Sequence, residues 1–216
     1  SQRGTDEVLV PFSKELEALG EPFEWVKGDA LQSRLGSLHF TAAIYTPGCV
    51  LMNPAALTQG LTDTLPHNVT VYENSPVTEA NFQNGTQLTT AKGSLRAPKL
   101  IMAANGFSEQ FGFYPRRFMH LIAHASLSRP LTEAERQAYG VSEPWGLTPV
   151  NAFAGITMRY TDDHRILIRQ GLDYRPSQRI GANEHRAIRA RHQKLFDARF
   201  PSIKDVEMEH TWSGFV

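Results

Sequence analysis

The sequence predicts a mixed α/β fold with a sizeable antiparallel sheet, on three observations. Helix caps and helix stops alternate with apolar strand patterns along the whole chain. Hairpin turns fall at Asn84-Gly85 and between Thr161 and His164. One segment, residues 54–72, reads as a helix joined to a strand by a connection of about four residues, as in a βαβ unit.

The start of the chain reads as two short helices. Val8 to Leu19 ends at Gly20, and Asp29 to Leu35 ends at Gly36. Glycine just past the last apolar residue stops a helix because it takes the left-handed conformation without a Cβ clash. Asn53 caps a helix that begins at Pro54 and carries Leu57, Leu61 and Leu65 on one face. Pro66 ends it, and Val69 to Tyr72 reads as a strand. Val77 to Met102 reads as a meander. Its first turn is Asn84-Gly85, where both positions favour positive φ, and its second is Lys92-Gly93. Strands are expected at Leu95 to Ala97 and at Lys99 to Ala103, the latter entering the small-residue turn Ala103-Ala104-Asn105-Gly106.

Phe118 to Leu127 reads as a further strand. Thr132, with Glu135 three residues on, forms a capping box for a helix to Tyr139. Phe153 to Tyr160 and Arg165 to Gln170 form a hairpin. Asn183 opens a long helix to Phe200, with Ile188, His192, Leu195 and Phe196 on one stripe. Pro201 stops it, and Val206 to Trp212 alternates as a last strand.

Composition narrows the function classes. The 216 residues carry 22 Lys plus Arg against 22 Asp plus Glu, so no polyanionic partner is expected. The long helix does carry Arg186, Arg189, Arg191, Lys194 and Arg199, which in a neutral chain read as a solvated face. One cysteine, Cys49, excludes an internal disulfide and suits a reducing, cytoplasmic setting. No apolar run approaches the roughly 18 residues of a membrane span. His120 and His124 share one side of a strand without a third ligand at a telling spacing, so no metal site is expected. The chain closes on Thr211-Trp212-Ser213-Gly214-Phe215-Val216, an apolar strand-like stretch that reads as a cut through a longer protein.

A series of motifs then falls in order. Gly48 and Pro54 precede Leu57 and Gly60-Leu61. Val69 to Glu73 and Pro76-Val77 follow, then Thr90, Gly93, Ala97 and Leu100 to Gly106. This stretch resembles the D-amino-acid oxidase superfamily of FAD-dependent oxidoreductases, which includes glycine oxidase, sarcosine oxidase and gamma-glutamylputrescine oxidase. Met158 to Ile168 resembles the family's hairpin of arginine, threonine and aspartate followed by Arg-Ile-Leu-Ile. Leu195-Phe196, Phe200-Pro201, Val206 and Trp212-Ser213-Gly214 resemble the helix and strand that lead to its Trp-x-Gly. The family's opening Gly-x-Gly-x-x-Gly turn, which seats the FAD pyrophosphate on a helix N-terminus, is not found in these residues.

The resemblance implies a large antiparallel-rich substrate-domain sheet plus part of an FAD-binding domain. Residues 1–47 would be a helical lead-in and 48–108 the partial FAD-binding domain. Residues 109–180 would form the substrate-domain sheet, and 181–216 a truncated return helix and strand. It implies oxidation of the C–N bond of an amine or amino acid by hydride transfer to FAD, with no protein acid or base required and no catalytic residue assigned. FAD is expected in the intact protein and not in this fragment, which would be inactive. Val77 would meet the FAD adenine through its main chain, and Ala103, Ala104, Asn105 and Gly106 would pass near its phosphates and ribose. Arg159 would pair a substrate carboxylate bidentately, and Tyr45 would line the substrate cleft. Taken alone, each is an ordinary strand, turn, salt-bridge or packing residue. A non-catalytic module that binds a small ligand or a protein is the alternative. Exposed apolar surface is expected, and with it dimerisation.

Overall fold

The structure is a computed structural model that describes residues 4–151 and 155–216. A π-helical turn, Thr5–Leu9, runs into α1 (Val10–Leu19), which stops at Gly20 in the left-handed conformation. β1 (Glu24–Lys27), α2 (Gly28–Leu35), β2 (Ala42–Tyr45) and α3 (Pro54–Asp63) follow. A meander of β3 (Val77–Asn81), β4 (Thr86–Thr90) and β5 (Gly93–Ala97) precedes a 3-10 helix, Asn105–Phe111. Then come β6 (Leu121–Ser128), α4 (Glu133–Tyr139), β7 (Trp145–Leu147), β8 (Thr157–Tyr160) and β9 (Ile166–Tyr174). The long helix α5 (Ala182–Arg199), a 3-10 turn (Pro201–Ile203) and β10 (Met208–Phe215) complete the order.

Contacts divide the chain into two units, Ser1–Leu51 with Leu121–Val216, and Met52–His120. The first is built on an antiparallel sheet in the order β10-β6-β9-β8-β7. The register sets Met158 opposite Ile168 and Tyr160 opposite Ile166. Alternation therefore sends these four side chains to one face, where all are buried. α5 covers that face because Ile188, His192 and Phe196 recur at helical spacing on its buried side. Phe196, Phe200 and Val206 complete the core. A two-stranded ribbon of β1 and β2 holds a smaller cluster with α2, made of Val26, Leu31 and Leu35. The clusters are tied where the buried Tyr139 hydroxyl donates to the Leu35 carbonyl at 2.8 Å and accepts from Trp145 Nε1 at 3.0 Å.

The second unit holds α3 and the meander. Asn53 Oδ1 accepts from the backbone N–H of Ala55 and Ala56, and Pro54 occupies the first helical turn, as its fixed φ favours. The face bearing Leu57, Leu61 and Leu65 is exposed.

Several local expectations are corrected. The first forty residues also contain β1, whose partner β2 completes the ribbon, two strands too short to show a period. Val69 to Tyr72 is no strand. The Val69 N–H closes a turn onto the Pro66 carbonyl at 2.9 Å, and the segment has no ladder partner among the described residues. Lys99 to Ala103 likewise lacks a partner, with Ile101 fully in solvent. Only Gly85 of the first hairpin has positive φ, at 85°, because the loop is a wider one in which Asn81 Oδ1 accepts from the Gln83 N–H. Gly181, not Asn183, caps α5, since the Glu184 carboxylate reaches back to the Gly181 N–H at 3.0 Å. Phe153, placed at the start of a strand from sequence, lies outside the described residues.

Candidate functional site

β8 alternates between two environments. Met158 and Tyr160 enter the core, so Thr157 and Arg159 point to the opposite face of the sheet. On that face Arg159 stands opposite Gly146 of β7 on one side and Leu167 of β9 on the other. Gly146 leaves the arginine room there. A Cβ would meet the Arg159 Cδ and Nε at 3.1 Å, so a larger residue would make the arginine shift by a few tenths of an ångström from its place over the edge strand. Arg159 Nη1 donates to the carbonyls of Leu147 at 2.9 Å and Met158 at 2.7 Å. That anchors one edge of the guanidinium. Among the described residues no carboxylate pairs with it. Burial holds its pKa below the usual arginine value, and the charge of Arg169 adds to that effect.

Arg159 borders a cleft of about 1340 Å³ within the first unit that also takes in Tyr45 and Cys49, while Phe40, Trp145 and Leu147 meet the cleft from the core side of the edge strand. Tyr45 ends β2, half exposed, with the Arg34 guanidinium 5.0 Å above its ring and Arg34 in turn paired with Glu24 at 2.9 Å. Glu143 is the one acidic residue among the described lining residues. The fold thus brings Tyr45 and Arg159 to one cleft from positions more than a hundred residues apart. Arg169 was not singled out from sequence. Its place beside Arg159 depends on the β8–β9 register, which a sequence pattern does not display.

The other candidates sit in the second unit. Val77 opens β3, half-buried, opposite Thr90. Ala103 and Asn105 are exposed, while Ala104 and Gly106 are half-buried. Asn105 has φ of 48°, a left-handed value that asparagine tolerates, and the Ala104 carbonyl accepts from the Phe107 N–H as the 3-10 helix begins.

The histidines have other uses. His120 meets Glu109 at 2.9 Å. His124 is buried, with Nδ1 2.8 Å from Ser213 Oγ and Nε2 3.1 Å from Asp173 Oδ2. The same Ser213 hydroxyl lies 3.1 Å from His185 Nε2, so two imidazoles pin β10 to β6 and to α5. Among the described residues no group of three His, Cys, Asp or Glu side chains is arranged to hold a metal ion. The basic helix is also engaged with its own fold: Arg189 Nε donates to Thr211 Oγ1 and Arg191 Nη2 to the Gln170 carbonyl. No described helix is long and apolar enough to cross a membrane.

Comparison with known proteins adds a family. Residues 4–216 match the family described as DAO, FAD dependent oxidoreductase. No curated protein matches. Among solved structures, the chain is similar to glycine oxidase from Geobacillus kaustophilus, at 17% identity and a TM-score of 0.69 over 96% of this chain and 54% of that one. It is similar to glycine oxidase from Bacillus cereus, at 17% identity and a TM-score of 0.66 over 100% of this chain and 58% of that one. It is also similar to L-proline dehydrogenase from P. horikoshii, at 14% identity and a TM-score of 0.67 over 96% and 56%. The mixed α/β fold with antiparallel sheets expected from sequence is the fold of these neighbours, and the chain spans little more than half of their length.

Proposed function

The chain belongs to the DAO family of FAD-dependent oxidoreductases, and from that premise we propose that the intact protein oxidises the C–N bond of an amine or amino acid, with the hydride passing to FAD. The observation that carries this reading is Arg159, a desolvated guanidinium with no carboxylate partner among the described residues, bordering a cleft it shares with Tyr45. Its Nη1 is anchored on two carbonyls, which leaves the remaining N–H donors to meet a substrate carboxylate in the paired geometry arginine favours. Tyr45 lines the cleft beside it.

The Met52–His120 unit fits part of the cofactor. Ala103 and Ala104 present only methyl groups and Gly106 none, so phosphate or ribose can approach the backbone closely. Val77 would face the adenine through its main chain. On this reading residues 48–108 are the cofactor half, residues 109–180 the substrate sheet, 1–47 its lead-in and 181–216 its return helix and strand. FAD when bound supplies the hydride acceptor; the residues of this chain bind and orient the substrate. No Gly-x-Gly-x-x-Gly occurs in the 216 residues, which supports weak FAD binding and no turnover by this chain alone. The single exposed cysteine suits a reducing, cytoplasmic compartment. Exposed Leu57, Leu61, Val71 and Tyr72 support self-association, which light scattering would report as a dimer.

The test is anaerobic mixing of the FAD-loaded full-length protein with amines, amino acids and 2-hydroxy acids. Bleaching of the visible flavin band by an amine or amino acid is expected. Bleaching by hydroxy acids alone would overturn the C–N assignment. Stoichiometric tight FAD binding by the 216-residue chain would overturn the account of its inactivity.

A further inference from the structure

Arg159 has a neighbour of the same charge, and neither meets an acid among the described residues. Arg169 of β9 stands opposite Thr157 of β8, and Arg159 lies two residues further along β8 on the same face. The two arginines are therefore diagonal neighbours across one antiparallel pair, with Cβ atoms roughly 7 Å apart. Arg169 Nη2 donates to Thr157 Oγ1 at 3.2 Å, which lays its side chain toward β8 rather than away from it. The field of Arg169 is felt at Arg159.

Other arginines on the strands and adjoining turns of this sheet are neutralised. Arg129 meets Glu135, Arg165 meets Glu209 and Arg175 meets Glu184. Arg159 and Arg169 meet no carboxylate among the described residues. The ground between and beside them is apolar, with Ala125 opposite Arg169 and Leu127 opposite Leu167. Two like charges on one sheet face, each without a carboxylate among the described residues, favour a ligand that brings two negative charges, because a monoanion would leave one guanidinium unmatched.

We propose that Arg169, exposed on the sheet face beside Arg159 and outside the lining of the cleft, is a second anion-holding residue, and that the two together take a small molecule with two carboxylate groups, one on each arginine. This rests on the reading of Arg159 as the partner of a substrate carboxylate and adds to it a preference set by Arg169.

The probes are glutarate, butyrate and inorganic phosphate, titrated into the protein at fixed ionic strength and followed by ligand-observed NMR. Glutarate is expected to bind at least about 10-fold more tightly than butyrate. Arg169→Gln should bring glutarate to the level of butyrate and leave butyrate unchanged, while Arg169→Lys should keep part of the preference. Arg159→Met should weaken both. Equal affinity for glutarate and butyrate in the unaltered protein overturns the two-carboxylate site and leaves the reading of Arg159 intact if Arg159→Met still weakens butyrate. Phosphate binding as tightly as glutarate overturns it in favour of a single compact anion between the two guanidinium groups. Absence of saturable binding by all three, or butyrate binding untouched by Arg159→Met, removes the reading of Arg159 and this proposal with it.

Discussion

Ser126 of β6 and His192 of α5 meet with Oγ and Nδ1 2.8 Å apart in the buried layer between helix and sheet. The other ring nitrogen, Nε2, lies 3.0 Å from the Gln170 carbonyl, and Ser126 Oγ lies 2.9 Å from Thr211 Oγ1. A neutral imidazole satisfies both contacts, donating from Nε2 to the carbonyl and accepting the serine proton at Nδ1. A protonated one could still donate to the serine, whose hydroxyl would turn to Thr211, so the penalty on protonation comes from placing a charge on a ring closed off from solvent.

Burial accordingly holds the His192 pKa below its ordinary value, with the charge of Arg191 acting in the same direction and the Gln170 bond opposing it. The group is a base with a depressed folded pKa, so the unfolded chain takes up the proton first as the pH falls. Stability is expected on its plateau above about pH 6.5 and to decline below it. Denaturant midpoints at pH 7.5 and 5.5 should fall further apart for the unaltered protein than for His192→Gln. Equal spacing in the two would show that His192 is not the group responsible.

Gly36 and Tyr139 are fitted to one another. Gly36 has φ of 64°, and a Cβ there would stand 2.2 Å from the Tyr139 ring. Gly36→Ala is expected to lower stability by about 1–3 kcal/mol, through overpacking and a strained backbone. Tyr139→Phe keeps the ring but strands the Leu35 carbonyl and the Trp145 indole N–H, at about 1–3 kcal/mol. In Tyr139→Ala the alanine at position 36 should cost less than in the parent, because the ring it strikes is gone. Urea unfolding of the double-mutant cycle measures this, and additive costs would refute the contact.

The start of α4 has its own pH signature. Glu135 accepts from both nitrogens of Arg129, at 2.6 and 2.7 Å, and from the Thr132 backbone N–H at 2.8 Å. The Arg129 hydrogen bonds, followed by those from Thr132, hold its pKa down to about 2. A carboxylate depressed in this way contributes stability that is present above its ordinary range and lost as the pH falls from there toward 2. Glu135→Gln should flatten the loss of stability between about pH 5 and 3. Thr132→Ala should cost about 1 kcal/mol at neutral pH. A Glu135→Gln variant with an unchanged acid limb would remove the carboxylate from this role.

What could be read in the sequence follows from the range of the interactions. The helix after Asn53 was legible because its cap is two and three residues from the N–H groups it serves. So was the capping box of Thr132 and Glu135. The α5 stripe was legible because Ile188, His192 and Phe196 share a period. The expected strand at Val69 to Tyr72 was wrong because β-branched composition records fitness for a sheet and not the presence of a partner. In the site, Arg159 could be picked out as a charged residue amid apolar strand neighbours. That Gly146 makes room for it and that Arg169 stands diagonal to it depend on register across β7, β8 and β9, set by pairings between residues 6 to 15 positions apart. Ser126 and His192 are 66 residues apart, and no local pattern links them.

Arg159→Lys separates charge from geometry at the proposed substrate contact. Lysine keeps the positive charge but brings a single ammonium in place of a planar fork. It also gives up the bonds of Nη1 to the Leu147 and Met158 carbonyls that aim the fork into the cleft. For the FAD-loaded full-length protein, KM for substrates with a carboxylate is expected to rise about 10- to 100-fold, the worth of roughly 1.5–3 kcal/mol in charged hydrogen bonds. The limiting rate of flavin reduction at saturation should change far less, because the hydride acceptor is untouched and the lost contact is made equally before and during the transfer. Simple amines without a carboxylate should be oxidised with unchanged KM. A loss of maximal rate with KM unaltered, or an equal effect on simple amines, would mean that Arg159 supports the wall of the cleft rather than the substrate.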